Sequence, residues 1–375
     1  METCPHRPPC PGCPRFGNPG LDAPALAALG LLAAAHGLPP PTVHAGPTAG
    51  FRHRARLAVR GRMDAPRIGL FAAGSHDVVQ VPRCSVHHPL INEVAAALRT
   101  AIMATRTPCF SDRAHAGLLR YLQVVVERRS RAAQVTLVIN SEDAAPAMPL
   151  CNALQDLLGE RLHSLWLNCN TGRGNSILGP RFEHVAGPAT VVESFGGSEV
   201  YYPPGAFGQN NLDMAEQLIG QLRAAVPAGS RVLECHAGVG AIGLSVLERA
   251  STVAFNELAP ASLEGLALGV AALPEARRAS IEVLPGPASV ATAHVSGADV
   301  AIVDPPRKGL EPALLGALAA SPPARLLYVS CGLPALTRDM ARLTSGGALR
   351  LEQLDAWNLM PFTPHVEVVA QFGRG

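Results

Sequence analysis

The sequence predicts an α/β protein, with a doubly wound carboxyl-terminal domain preceded by a mixed α+β region. Three observations carry this expectation. The chain has 375 residues, enough for two domains of ordinary size, each with its own core. Beyond Pro203, strand-like apolar runs alternate with helical patterns to the end. Within that half, residues 232–234 lead into Gly238, Gly240 and Gly243, which reads as a strand, a tight turn and a helix start.

Residues 1–20 are rich in Cys, Pro and Gly and read as a loop held by something other than a core. Residues 25–35 are helix-prone, and Pro39, Pro40 and Pro41 end the pattern. Between residues 51 and 81, short apolar stretches broken by glycine and charge suggest antiparallel strands. Residues 90–104 predict a helix, and 121–126 with 134–140 predict a strand pair. A helix follows over about 147–162, then a strand near 165–168. A helix over 211–225 precedes the strand at 231–234, and the character of the chain changes near residue 205. The expected division is 1–90, 91–205 and 206–375, without internal repeat or flexible linker.

Apolar residues make up 48% of the chain and aromatics 4%, because Ala, Gly and Pro are abundant. Of the 31 Lys and Arg residues, Lys308 is the single lysine. That skew reads as genomic base composition, yet it favours bidentate phosphate contacts where basic residues line a surface. A net charge of +2 does not announce a nucleic-acid binder. Locally, six arginines and His53 lie between Arg52 and Arg67 against one acid, Asp64. Arg52, Arg54 and Arg56 alternate and share one face of a strand. They serve either RNA contact or protection of an exposed edge. No window is apolar for long enough to span a bilayer, and no signal core opens the chain. The chain reads as cytoplasmic and most simply monomeric. In that compartment nine cysteines are ligands, catalytic groups or inert thiols rather than disulfides.

The strand after the glycine turn ends in Phe255, Asn256 and Glu257, where a carboxylate can accept hydrogen bonds from both hydroxyls of a ribose. This spacing does not distinguish a nicotinamide dinucleotide from S-adenosylmethionine. Farther on, residues 299–303 lead into Asp304, Pro305, Pro306 and Arg307. The run Leu326, Leu327, Tyr328, Val329, Ser330 delivers Cys331 at the carboxyl end of a buried strand. Thr363, Pro364, His365 and Val366 precede Glu367.

These motifs, together with the segment Phe207, Gly208, Gln209, Asn210, Asn211, resemble in kind and order the RNA uridine-5-methyltransferase family. The resemblance covers most of residues 203–370. It implies a Rossmann-like class I methyltransferase domain. It also implies Cys331 as nucleophile, Glu367 as base, and Gln209, His236, Glu257 and Asp304 as contacts to S-adenosylmethionine. The chain departs from the family pattern at four points. Glu234 stands for an Asp, Gly208 for a Phe and Asn358 for an Asp, and Cys235, His236 and Ala237 replace an aromatic followed by Cys. His236 reads alternatively as a loop-capping histidine.

Cys4, Cys10 and Cys13 offer three thiolates in one short loop, and Cys84 is the candidate fourth. Spacing alone allows zinc or an iron–sulfur cluster. The ribosomal branch of the family has a similar set carrying a [4Fe–4S] centre, which implies the cluster here. Cys109, Cys151, Cys169 and Cys235 have no partner at ligand spacing and read as structural. The resemblance therefore implies a 23S ribosomal RNA (uracil-C5)-methyltransferase. Transfer RNA as substrate, or a catalytically silent RNA-binding homologue, are the alternatives.

Overall fold

The first regular elements, α1 (Ala23–Ala35) and β1 (Thr42–Ala45), do not pack on the sheet that follows them in the chain. The computed structural model describes residues 4–375. In it, Leu29 and Ala33 of α1 are buried in the core of the carboxyl-terminal domain. Strand β1 lies parallel along that domain's far edge, Thr42 against Asp355 and Ala45 against Asn358.

A second sheet then forms from β2 (Arg54–Arg62), β3 (Ala65–Phe71) and β4 (Val78–Gln80), and from β5 (Leu119–Val126), β6 (Ala133–Ile139), β7 (Leu162–Cys169) and β8 (Arg181–Ala186), in the order β4-β3-β2-β5-β6-β7-β8. Helices α2 (Pro89–Thr105) and α3 (Met148–Leu158) cover one face. In β2 the alternation is clear: Ala55, Leu57 and Val59 enter the core under α2, whereas Arg54 and Arg56 face the other way. Helix α2 starts where the His88 ring accepts from Leu90 N–H beside Pro89, and it stops at Arg106, whose φ is +54°. Strands from both sides of residue 90 thus share one sheet, and residues 21–45 belong to the other domain. The expected unit 1–90 is divided accordingly.

The ribbon β9 (Val191–Phe195) with β10 (Ser198–Tyr202) leads to α4 (Leu212–Ala225), capped by the Asn211 side chain accepting from Met214 N–H. The doubly wound domain follows. Its elements are β11 (Ser230–Cys235), α5 (Ala241–Ser245), β12 (Ala250–Glu257), α6 (Pro260–Ala271), α7 (Glu275–Arg278), β13 (Ile281–Pro285), β14 (Val300–Val303), α8 (Pro312–Ala320), β15 (Arg325–Ser330), α9 (Leu333–Thr344), β16 (Leu349–Asn358) and β17 (Glu367–Arg374). The sheet order is β1-β16-β17-β15-β14-β11-β12-β13, with β17 antiparallel between its neighbours. Alternate residues feed two cores. Val232, Ile302, Leu327 and Val329 enter one, and Leu233, Ala301, Val303, Leu326 and Tyr328 the other. Both faces are covered, as a mainly parallel sheet requires. Among the described residues no helix is long and apolar enough to cross a membrane.

Candidate active site

Strand register delivers five of the expected residues to one edge. Cys235 pairs with Asn256 on one side and Val303 on the other. The next residues, His236, Glu257 and Asp304, therefore lie side by side at the carboxyl ends of β11, β12 and β14. Strand β15 ends at Ser330, opposite Val368 of β17. One residue further, the same register sets Cys331 opposite Glu367. The row along the edge reads Glu367, Cys331, Asp304, His236, Glu257. It crosses the point between β11 and β14 where strand order reverses, the position at which open α/β sheets take ligands. Gln209 lies off this row, half-buried in the loop between β10 and α4. That loop is tied to the amino-terminal sheet, since Arg54 donates to Ala206 O at 3.2 Å and Gln123 to Pro204 O at 2.6 Å.

Three acidic groups converge near the centre of the row. Burial pushes the Cys331 thiol above its ordinary value, and the Glu367 and Asp304 carboxylates push it further; the Arg307 guanidinium opposes them. Burial also raises Glu367 well above the carboxylate range, with Asp304 adding to it. Burial lifts Asp304 to about 7. Among the described residues, neither carboxyl has a side-chain hydrogen-bond partner. Arg307 is held by His365, its Nη2 lying 3.2 Å from Nδ1 of the ring.

The glycine turn is built by two carboxylates. Glu257 accepts from Gly238 N–H at 2.7 Å and, through its other oxygen, from Leu258 and Ala259. Glu234, 2% exposed, accepts from Gly243 N–H at 2.9 Å. A Cβ at Gly243 would lie 2.2 Å from the Glu234 carboxylate, so the helix starts there only with glycine. His236 has φ +61°, and its Nδ1 is buried without a partner. A left-handed non-glycine residue with an orphaned ring nitrogen, beside an open carboxyl edge, fits a polar ligand in the crevice.

No family profile matches the chain. Curated relatives do. An uncharacterized RNA methyltransferase of Protochlamydia amoebophila is 36% identical over 340 residues, 89% of this chain and 88% of that protein. Two further uncharacterized RNA methyltransferases, from Geobacter sulfurreducens and Gloeobacter violaceus, are each 30% identical; the match covers 85% and 87% of this chain and 65% and 70% of theirs. The chain belongs to this RNA methyltransferase family. Its fold is shared with the Pyrococcus abyssi tRNA (uracil-54, C5)-methyltransferase, solved with S-adenosyl-L-homocysteine, at a TM-score of 0.77. That match has 23% identity and covers 92% of this chain and 81% of that one.

Residues of this methyltransferase that the sequence did not flag support the row from behind. Gly332 is one. A Cβ there would meet Arg307 O at 2.6 Å, so glycine lets the Asp304–Arg307 loop lie against the thiol-bearing turn. Its place immediately after Cys331 was the available signal. Strand β2 lies between β3 and β5, so Arg54 and Arg56 protect no edge, and the arginines of this stretch make contacts within the protein. Arg54 stacks on the Tyr202 ring at 4.6 Å, and Arg56 donates to Gln123 at 2.7 Å. Arg52 lies beside Cys13 and Cys84, its charge opposing the rise of the Cys13 thiol.

Cys4, Cys10, Cys13 and Cys84 line one pocket, together with Arg52 and Thr363. Burial raises Cys13 to about 11, and Cys84, Cys10 and Cys4 add to the rise. Burial raises Cys84 as well. Among the described residues, no group of three or more His, Cys, Asp or Glu side chains is placed to hold a metal ion. The other expected structural thiols, Cys109, Cys151, Cys169 and Cys235, are buried.

Proposed function

We propose that the protein transfers a methyl group from S-adenosylmethionine to carbon 5 of a uridine in 23S ribosomal RNA. The observation that carries this reading is the Cys331 thiol standing opposite the Glu367 carboxyl. Carbon 5 of uracil is a poor nucleophile, because its electrons are delocalised into the ring. Addition of the Cys331 thiolate to carbon 6 moves an electron pair to carbon 5 as an enolate. S-adenosylmethionine supplies the methyl group as an electrophilic carbon on a sulfonium. Glu367 then takes the carbon 5 proton. The pair from that bond forms the carbon 5–carbon 6 double bond, and the carbon 6–sulfur bond breaks with its electrons returning to Cys331. A carboxylate raised by burial binds a proton more firmly once ionised, which suits it to this step.

The remaining edge residues suit the methyl donor. Glu257 stands beside the glycine turn, where its carboxylate can accept from a ribose, His236 Nδ1 lacks a partner, and the unpaired Asp304 carboxyl favours a cationic group nearby. Gln209 joins this set by resemblance. The target uridine has to be unstacked or flipped for Cys331 to reach carbon 6.

Cys4, Cys10, Cys13 and Cys84 belong to a [4Fe–4S] cluster in this reading. Their chemistry fits, since four thiols share one pocket. The cluster rather than zinc is what the resemblance implies for this set, and both take four thiolates. The thiol set favours ribosomal RNA. Transfer RNA is the second reading, favoured by the shared fold with a tRNA (uracil-54, C5)-methyltransferase.

The test uses two variants. Cys331→Ala should abolish methylation and leave no covalent RNA adduct. Glu367→Gln should slow turnover about a hundredfold to ten-thousandfold and accumulate an adduct that survives denaturing electrophoresis. Normal turnover by Glu367→Gln, with nothing trapped, would remove Glu367 as the base. Mapping 5-methyluridine in ribosomal and transfer RNA from a deletion strain separates the two substrates.

A further inference from the structure

The turn between β16 and β17 leads directly to Glu367, and its backbone is strained. Phe362 has φ +65° although it is not glycine, and it is 5% exposed. Such a conformation persists only when its surroundings over-determine it. The contacts that do so come from the opposite end of the chain. Arg15 donates its backbone N–H to Phe362 O at 2.9 Å, and its guanidinium reaches Thr363 O at 3.4 Å. The same guanidinium donates to Gly20 O at 2.9 Å and Leu21 O at 3.3 Å, and it pairs with Asp22 at 3.4 Å. The Phe16 ring lies 5.0 Å from that of Phe362. Asn358, at the start of the turn, donates to Pro19 O at 2.6 Å. Within the turn, Thr363 Oγ1 donates to Met360 O and accepts from His365 N–H, which carries the constraint to within two residues of Glu367.

We infer that Arg15 is a positioning residue for the general base: it fixes the Phe362–Thr363 turn and thereby the Glu367 carboxyl relative to the substrate ring. This inference rests on the proposed role of Glu367. Cys331 is carried at the end of β15, whose pairing with β17 runs from Ser330 and Val368 away from the turn. Loosening the turn therefore displaces the base and leaves the nucleophile in place. Attack and methyl transfer proceed, whereas removal of the carbon 5 proton slows. The carbon 6–sulfur bond then persists until Glu367 receives that proton and its electron pair closes the double bond. Displacements near 1 Å at a reacting group cost up to about a hundredfold.

The experiment compares wild type, Arg15→Ala, Arg15→Lys and Glu367→Gln, each full-length and purified anaerobically, with unmodified 23S rRNA transcript and S-adenosylmethionine. Methylated product and the denaturation-resistant adduct are measured together, with the rate at which the adduct forms as the control for the nucleophile. Arg15→Ala should turn over about tenfold to a hundredfold more slowly and accumulate the methylated adduct, with the adduct forming no more slowly than in wild type. Arg15→Lys keeps the charge and the backbone donor but cannot reach three carbonyls at once; it should give a smaller effect of the same kind, and it serves if Arg15→Ala does not fold. A slower rate without adduct, or slower formation of the adduct, would overturn the positioning role. If wild type turns over and Glu367→Gln traps RNA while both Arg15 variants behave as wild type, this inference alone fails. If Glu367→Gln traps nothing, the reading beneath it fails.

Discussion

At the scale of single residues, the site is an electrostatic conflict with one cation to moderate it. Burial raises all three groups; Glu367 and Asp304 further disfavour ionisation of Cys331, and Asp304 further disfavours that of Glu367. Arg307 is the cation that favours the ionised thiol and Glu367. It is held by a His365 ring whose own pKa is lowered by burial, by Arg307 and by Arg52, so the ring accepts rather than repels. The consequence is measurable as the pH dependence of Cys331 alkylation, followed by mass spectrometry on its own peptide. In wild type the midpoint should lie above the ordinary thiol value of about 8.5. Glu367→Gln removes a negative charge and should lower it; Arg307→Ala removes the opposing positive charge and should raise it. The reverse order would mean that neither group faces the thiol. The place of Cys331 at a strand end was legible in its apolar run, whereas Glu367 was singled out only by resemblance. Arg307's tie to His365 was not legible, since 58 residues separate them and no local pattern encodes the contact.

At the scale of elements, the parallel strands were legible wherever an apolar run ended in a polar motif, as at residues 231–235, 250–257 and 325–330. The strands of residues 181–202 were not read. Arg181, Glu183 and His184 interrupt β8, and the β9–β10 ribbon is paired only to itself, so neither shows the continuous apolar run of a buried strand. The substitution of Glu for Asp at position 234 has a physical outcome of its own. Burial raises Glu234 to about 8 from 4.5, with Asp304 and Glu257 adding to the rise and the Gly243 amide opposing it. A carboxyl raised in the folded state contributes stability below its unfolded pKa that is lost as pH climbs through the folded one. Wild type should therefore weaken between about pH 4.5 and 8 at this position. Glu234→Gln retains an oxygen for the Gly243 N–H and does not titrate. It should melt higher than wild type at pH 9, by up to a few kcal/mol, and the advantage should shrink toward pH 5. A difference that is constant with pH would show that Glu234 is already ionised in the fold.

At the scale of the whole molecule, the amino-terminal segment closes on the carboxyl-terminal one. Strand β1 pairs with β16 across some three hundred residues, and no periodicity within either segment announces such a partner. The thiol pocket lies at the same junction. Cys4, Cys10 and Cys13 come from the first loop and Cys84 from the turn before α2; Met360, Pro361 and Thr363 come from the turn before Glu367. Phe362 packs there with Phe51, Val86 and Phe16. If these cysteines share a cluster, ligation cross-links residues 13 and 84 and closes a loop of about 70 residues, which contributes about 4 kcal/mol in the chain-entropy account of cross-links. Anaerobically purified protein should then be brown, with broad absorbance near ~400 nm and about four irons per chain. Cys84→Ala should bleach it and lower the melting temperature. It should also expose the loop of residues 4–22 to limited proteolysis, because that loop is otherwise pinned by the pocket at one end and by Arg15 and Pro19 at the other. Stoichiometric zinc without iron in the same preparation would overturn the cluster. Full colour in Cys84→Ala would leave the cluster standing and remove Cys84 from it.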